Sequence, residues 1–269
     1  MTTETVYDNQ DFDSSNYSKY RPVYPTTLFD YIYGVHEKGA GKYDVAVDIA
    51  TGTGITAIAL ADKFSKVIAT DSSASMLKSA TQHPKISYQQ SKAESMAGIA
   101  DESVDLITVS TAAHWFDMPL FYKECKRILK PSGTLAIWAY GSIHSDDFAE
   151  ELDPLFLEYC TVTLKDYWDP RRTKLDRLYI DDEFVKTPFR DFKRVVFPFE
   201  DASVKMAKQM SAEDVRRYYT TWSAYKTFKD KCPDAPDVAR VFSDKMRKIV
   251  GTDAPVRLYH SLVLLIMKK

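Results

Sequence analysis

Short apolar runs punctuate the first half of the chain: Val45–Ile49, Val67–Thr70, Ile86–Gln89, Val104–Ser110 and Thr134–Tyr140. Each is bounded by polar or glycine-bearing residues and reads as a strand. Between them Thr56–Phe64, Ala74–Gln82 and Met118–Leu129 read as helices, with Pro119 suited to the first turn of the last. An earlier helix carries Leu28, Ile32 and Val35 at helical spacing and ends at Gly39 to Gly41. Strands alternating with helices over short links predict an α/β fold with a doubly wound, mostly parallel sheet covered on both faces. After Gly141 the rhythm breaks. Glu150 to Leu164 reads as helix, Ser211-Ala212-Glu213-Asp214 opens another behind a serine cap, and a further helix runs from Val238 to Ile249. Arg194–Phe199 and Arg257–Met267 read as the last two strands of a seven-stranded sheet, added as an antiparallel edge. The insertion between the fifth and sixth strands is expected to form a helical cap over the strand ends, where open α/β sheets bind ligands.

The whole chain, 1–269, then reads as a single domain. Residues 1–40 form an arm and helix, 41–141 a cofactor-binding core, and 142–269 the cap with the last two strands. Met1 to Asp13 is polar and acidic, reads as a mobile terminus and does not resemble a secretory leader. The closing apolar stretch, Ser261 to Met267, is far shorter than the roughly twenty residues a membrane helix needs and reads as a buried strand.

Candidate chemistry concentrates where the first strand ends. Val47-Asp48-Ile49 runs into Ala50-Thr51-Gly52-Thr53-Gly54, and a helix leaves at Ile55. Gly52 and Gly54 admit positive φ and close approach of a ligand, and the helix start turns free N–H groups toward it. The second strand ends in Asp71, where a doubly wound sheet grips ribose hydroxyls. Two cofactors fit such a frame. Gly52 to Ala57 satisfies the dinucleotide pattern, so a nicotinamide oxidoreductase is one reading. Asp48 favours the other, S-adenosylmethionine, because a carboxylate repels a pyrophosphate and attracts an ammonium or sulfonium. A carboxylate that only caps loop amides is the plainer reading of Asp48. A non-catalytic cofactor-binding protein is a further alternative.

The run Val47 to Gly54 resembles the first motif of the class I S-adenosylmethionine-dependent methyltransferases, with Ala50 where the family usually has glycine. Ala69-Thr70-Asp71-Ser72-Ser73-Ala74-Ser75-Met76-Leu77 resembles their second motif. Gln90-Ser91-Lys92-Ala93-Glu94 resembles the exit of the third strand, Ser103 to Val109 the fourth strand, and Leu129-Lys130-Pro131-Ser132-Gly133-Thr134-Leu135 the turn into the fifth. Tyr17 to Pro25, Ala113-His114-Trp115-Phe116-Asp117 and Thr221-Trp222-Ser223-Ala224-Tyr225 are similar to the fungal trans-aconitate methyltransferase subgroup. The resemblance implies a Rossmann-like fold, S-adenosylmethionine as cofactor and methylation of a small molecule, including carboxylic acids. It places Asp48, Ala50, Thr51, Gly52 and Gly54 at the methionine end and Asp71 and Ser72 by the ribose. Met76, Ala93 and Glu94 fall by the adenine and Ser110 by the sulfonium, with Tyr20 and Arg21 as a lid.

A carboxylate acceptor is ionised at neutral pH, with a reference pKa of roughly 4, and needs no general base. A hydroxyl, phenol or lipid acceptor would usually need one. His114, just past the fourth strand, is therefore the diagnostic residue, as a positioning group or as a base. Trp115 beside it offers an apolar wall. Arg21 in the arm, Arg171 and Arg172 can fork onto a carboxylate, while Tyr24, Trp168, Tyr179 and Trp222 suggest an aromatic-lined pocket.

Composition narrows the classes. Among 269 residues, 36 Lys and Arg against 38 Asp and Glu leave a net charge of -2, which argues against nucleic acid as the main partner. Cys125, Cys160 and Cys232 form no disulfide framework or metal motif, and His144, Asp146 and Asp147 are ordinary loop residues, so no metal is expected. A monomer or weak homodimer, cytoplasmic, without membrane insertion, is the expectation.

Overall fold

The apolar runs line up side by side as one sheet. In the computed structural model, which describes residues 20–269, β1 (Val45–Ile49), β2 (Lys66–Asp71), β3 (Ile86–Gln90), β4 (Val104–Ser110) and β5 (Leu129–Ser145) are parallel. β6 (Arg190–Phe197), β7 (Met206–Met210) and β8 (Val256–Lys268) follow, and β8 pairs antiparallel with β5, β6 and β7. The order is β3-β2-β1-β4-β5-β8-β6, with β7 beside β8. The chain winds outward from β1 to β3 and then returns to β4. The crevice between the carboxyl ends of β1 and β4 is thus the switch point where such sheets bind ligands. The expectations for Met1 to Asp13 and for Tyr17, Ser18 and Lys19 lie outside the described residues.

The pleat sends alternate residues to opposite faces. Ala46, Leu106, Trp138, Leu264 and Ile266 join one buried cluster with residues of α1 (Thr26–Lys38) and α2 (Ile55–Ala61). Val47, Ile107, Ile137, Val263 and Leu265 join another with α4 (Met118–Ile128) and the segment from Leu175 to Phe189. Between β2 and β3, α3 (Ala74–Lys78) is shorter than expected. It stops at Lys78 rather than Gln82, with Ser79 as its C-cap. α4 starts as anticipated: Pro119 sits in the first turn and the Asp117 side chain accepts the amide of Leu120.

The sheet differs from expectation by one strand. Met206-Ala207-Lys208-Gln209-Met210 has little β-branched character, and β7 forms because β8 offers it an edge, a tertiary cause that local propensity does not carry. The cap also has two sources rather than one. α5 (Ala149–Glu158), α6 (Thr173–Asp176) and α7 (Asp182–Val185) come from the insertion between β5 and β6. α8 (Ala212–Tyr219), α9 (Ser223–Lys231) and α10 (Val238–Val250) come from the stretch between β7 and β8. The helix read over Glu150 to Leu164 ends at Glu158 and widens into a π-type turn over Tyr159–Thr163. α8 opens with a reciprocal capping box between Ser211 and Asp214. Among the described residues no helix is long and apolar enough to cross a membrane.

Candidate functional site

The turn after β1 is built from left-handed backbone. Ala50, Gly52 and Gly54 have φ of 54, 59 and 88°. At Gly54 a Cβ would lie 2.5 Å from the Tyr88 hydroxyl, and at Gly52 3.2 Å from the Met76 methyl. Gly54 is thus demanded by conformation and by space, whereas at Gly52 the demand is conformational, the methyl of the flexible Met76 side chain being its nearest neighbour. Ala50 takes the same conformation with a side chain, at a cost of order 1–2 kcal/mol.

Asp71 ties this turn to the next. One of its carboxylate oxygens accepts the Gly52 amide at 2.8 Å and the other the Ser73 amide at 2.8 Å. The Asp71 side chain is half-buried. Met76, 4% exposed, and Ala93, 8%, are buried, while Ser72 is exposed. Glu94 accepts the Asp117 amide at 3.1 Å.

Asp48 sits beneath the turn with no exposed surface. Thr51 Oγ1 donates to it at 2.5 Å and Thr108 Oγ1 at 2.7 Å. Burial pushes its pKa up to about 7 against the opposing pull of the two hydroxyls. The sequence suggests that Asp48 meets a cation directly. The structure instead packs it under the loop, where its oxygens serve the threonines. Thr108 carries no motif of its own, yet β1 and β4 are register partners at Asp48 and Thr108. Pairing the two strands in parallel is the signal that finds it.

A second group of side chains gathers from the end of β4. Thr56 Oγ1 donates to Ser110 Oγ at 3.0 Å, and the Thr111 hydroxyl lies 3.0 Å from that of Tyr24. Tyr24 packs edge-on against Trp138. Buried Arg21 donates to the Tyr140 hydroxyl at 2.6 Å and to the Thr221 carbonyl at 2.9 Å, and lies over the Tyr218 ring. Tyr20 accepts from Arg217 at 2.6 Å. The arm is therefore strapped to β5 and to the end of α8.

His114 occupies a single helical turn, Ala113–Trp115, and is 4% exposed. Its Nδ1 lies 2.9 Å from the Tyr179 hydroxyl. Leu178 and Tyr179 both have positive φ, so the backbone is bent to deliver that hydroxyl. Arg171 lies over Trp115 and Arg172 over Trp168, which packs against Trp222. Asp169 pairs with Arg171 and Asp176 with Arg172. Burial, then the nearby positive charges of Arg172, Lys174 and Arg171, lower the His114 pKa to about 3. His114 is neutral at physiological pH and a weak base.

The structure thus brings His114, Trp115, Trp168, Arg171, Arg172, Tyr179 and Trp222 into one neighbourhood and Arg21 and Tyr24 into the next. Thr111, Tyr140 and Tyr218 join the second group without any local signal in the sequence, and Thr221, the first residue of the Thr221–Tyr225 motif, joins them, because the arm meets all four across more than eighty residues of chain. His144 pairs with Asp153 at 2.8 Å and Asp146 with Lys205, and among the described residues no group of His, Cys, Asp or Glu is arranged to hold a metal. Cys125 is a buried free thiol, as its place on α4 suggests.

Residues 47–137 match the model of a methyltransferase domain. A Dictyostelium discoideum protein whose name places it among methyltransferases is 33% identical over 95% of each chain. The Saccharomyces cerevisiae protein CRG1, named for S-adenosylmethionine-dependent methyl transfer, is 26% identical over 91% of each. A solved structure from Anaeromyxobacter dehalogenans, named as a type II methyltransferase, shares the fold with a TM-score of 0.76 and 24% identity, over 92% of this chain and 97% of that one. The glycine turn, the carboxylate at the tip of β2 and the switch point between β1 and β4 fit S-adenosylmethionine, and the nicotinamide reading falls away. The chain belongs to the class I S-adenosylmethionine-dependent methyltransferases.

Proposed function

We propose that this chain methylates a carboxylate oxygen of a small acid, the class to which trans-aconitate belongs. The observation that carries the reading is a buried, neutral and weakly basic imidazole at His114, poorly suited to removing a proton from a hydroxyl. Arg171, Arg172 and Lys174 lie nearby, each paired with a carboxylate (Asp169, Asp176 and Glu183), and an acid acceptor would exchange with those partners for the guanidiniums.

S-adenosylmethionine supplies an electrophilic methyl group. The residues of the chain bind, align and dry the site. Asp71 accepts from ribose hydroxyls. Met76, Ala93 and Glu94 border the adenine, and Ser110 borders the sulfonium. Asp48, under the turn, contributes negative charge through the two threonines rather than by contact. On the acceptor side the Tyr179 hydroxyl donates to His114 Nδ1, which leaves the proton on Nε2 to donate to the acceptor carboxylate. Arg171 and Arg172 hold other carboxylates of the acid, with Trp115, Trp168 and Trp222 excluding water.

Calorimetric titration with S-adenosylmethionine and separately with NADH tests the cofactor. Formation of S-adenosylhomocysteine from small di- and tricarboxylic acids, compared with phenols, tests the acceptor. Turnover of phenols alone, rising with pH, would remove the carboxylate reading.

A further inference from the structure

Among the described residues several buried polar atoms lack a hydrogen-bond partner, and one of them lies beside Tyr140 and Tyr218. β8 pairs with β5 at Tyr140 with Leu262 and at Ile143 with His260, so β5 carries one extra residue between them. The bulge falls at Gly141 and Ser142, where a side chain is re-aimed relative to the regular pleat. His260 flanks it, with Nδ1 3.3 Å from the Gly141 carbonyl. A carbonyl only accepts, so Nδ1 carries the proton and Nε2 presents a lone pair. His260 is 5% exposed, and its Nε2 has no hydrogen-bond partner among the described residues. Burial leaves the ring neutral, with a pKa lowered to about 4 and the neighbouring His144 and Arg21 acting in the same direction.

The surroundings belong to the acceptor side. The His260 ring lies 5.0 Å from that of Tyr140 and 5.6 Å from that of Tyr218. Arg21 holds the Tyr140 hydroxyl at 2.6 Å and lies over Tyr218. A donor (Arg21) and an unpartnered acceptor (His260) thus share one aromatic cluster beneath the arm. A buried acceptor left unpaired is costly, and a ligand that donates to it would recover that cost.

We propose that His260 is a specificity residue of the acceptor site, taking a hydrogen bond from a hydroxyl that the acceptor acid carries beside its methylated carboxylate. The proposal rests on the carboxylate reading above and narrows it from small acids to hydroxy acids.

The test uses the full chain with S-adenosylmethionine and two matched pairs, malate with succinate and citrate with tricarballylate, which differ by one hydroxyl. In the wild type the hydroxylated member of at least one pair has the higher kcat/KM, by about ten-fold or more. His260→Phe removes that ratio, and His260→Gln, which keeps an acceptor, retains part of it. Cofactor affinity is measured for each variant to show that the fold is intact. In the same samples the ¹⁵N resonance of His260 Nε2 moves on adding the hydroxy acid and not its partner. An equal ratio in wild type and His260→Phe, or an unmoved Nε2 resonance, overturns the proposal. Turnover of none of the four acids, with cofactor bound and the Nε2 resonance still moving, overturns the carboxylate reading instead.

Discussion

The two ends of the site are built on different plans. At the cofactor end the parts lie close in sequence. One turn after β1, from Ala50 to Gly54, and one carboxylate at Asp71 set the geometry, and backbone amides do much of the holding. At the acceptor end the parts are gathered from the arm, the ends of β4, β5 and β8, and both cap insertions, and side chains do the holding. The first plan suits a ligand that stays constant across a family. The second lets one frame change its acceptor by changing a few side chains.

Mutations that act at one end only should sharpen the contrast, and the largest effects come from backbone. Gly54→Ala forces a Cβ toward the Tyr88 hydroxyl at a φ of 88°. It should destabilise the fold by about 2–3 kcal/mol and weaken cofactor binding, as read by chemical denaturation and calorimetry. His114→Ala acts at the other end. Loss of one hydrogen bond to a charged acceptor, about 1.5–3 kcal/mol, should lower kcat/KM for the acid by about 10- to 100-fold and leave cofactor affinity unchanged. If both fell together, the two ends would not be separable.

Asp48→Asn isolates electrostatics under the turn. Folding raises the Asp48 pKa from 3.8 to about 7, so the protonated form is favoured in the native state. Its contribution to stability is therefore full below about pH 4 and is lost as pH rises through about 7. The Asn variant should be more stable than wild type at pH 8, by about 1–3 kcal/mol, and nearly equal at pH 4, in melts of the cofactor-free protein. It should bind S-adenosylmethionine more weakly at pH 8. The smallest effect belongs to Ala50→Gly. Relief of left-handed strain, set against the extra freedom of glycine in the unfolded chain, should raise stability by about 0.5–1 kcal/mol.

The same contrast decides how much is legible in the amino-acid sequence. Val45–Ile49 and Val104–Ser110 form strands with the bounds expected, and the turn between Ala50 and Gly54 takes the backbone its glycines suggest. These features are local, and local chemistry sets them. β7, by contrast, depends on an edge supplied by β8, and the split origin of the cap depends on where β6 leaves the sheet. Asp48 is legible as a site residue but its depth is not, since burial comes from the elements above it. His114, Arg171, Arg172 and Tyr179 are legible as residue types. Tyr140 and His260 are not, because each reads as ordinary strand until the bulge in β5 brings them together.

The claim that the acceptor end works without a general base is tested most directly by the pH dependence of kcat/KM for a small carboxylic acid. His114 and His260 have pKa values of about 3 and about 4, so neither titrates near or above neutral pH. With S-adenosylmethionine saturating, so that the Asp48 ionisation near pH 7 does not limit cofactor binding, a flat profile from neutral into mildly alkaline solution is expected for the wild type. A profile that climbs through an ionisation near neutrality, and climbs equally in Asp48→Asn, would show that a base removes a proton from the acceptor, and would contradict it.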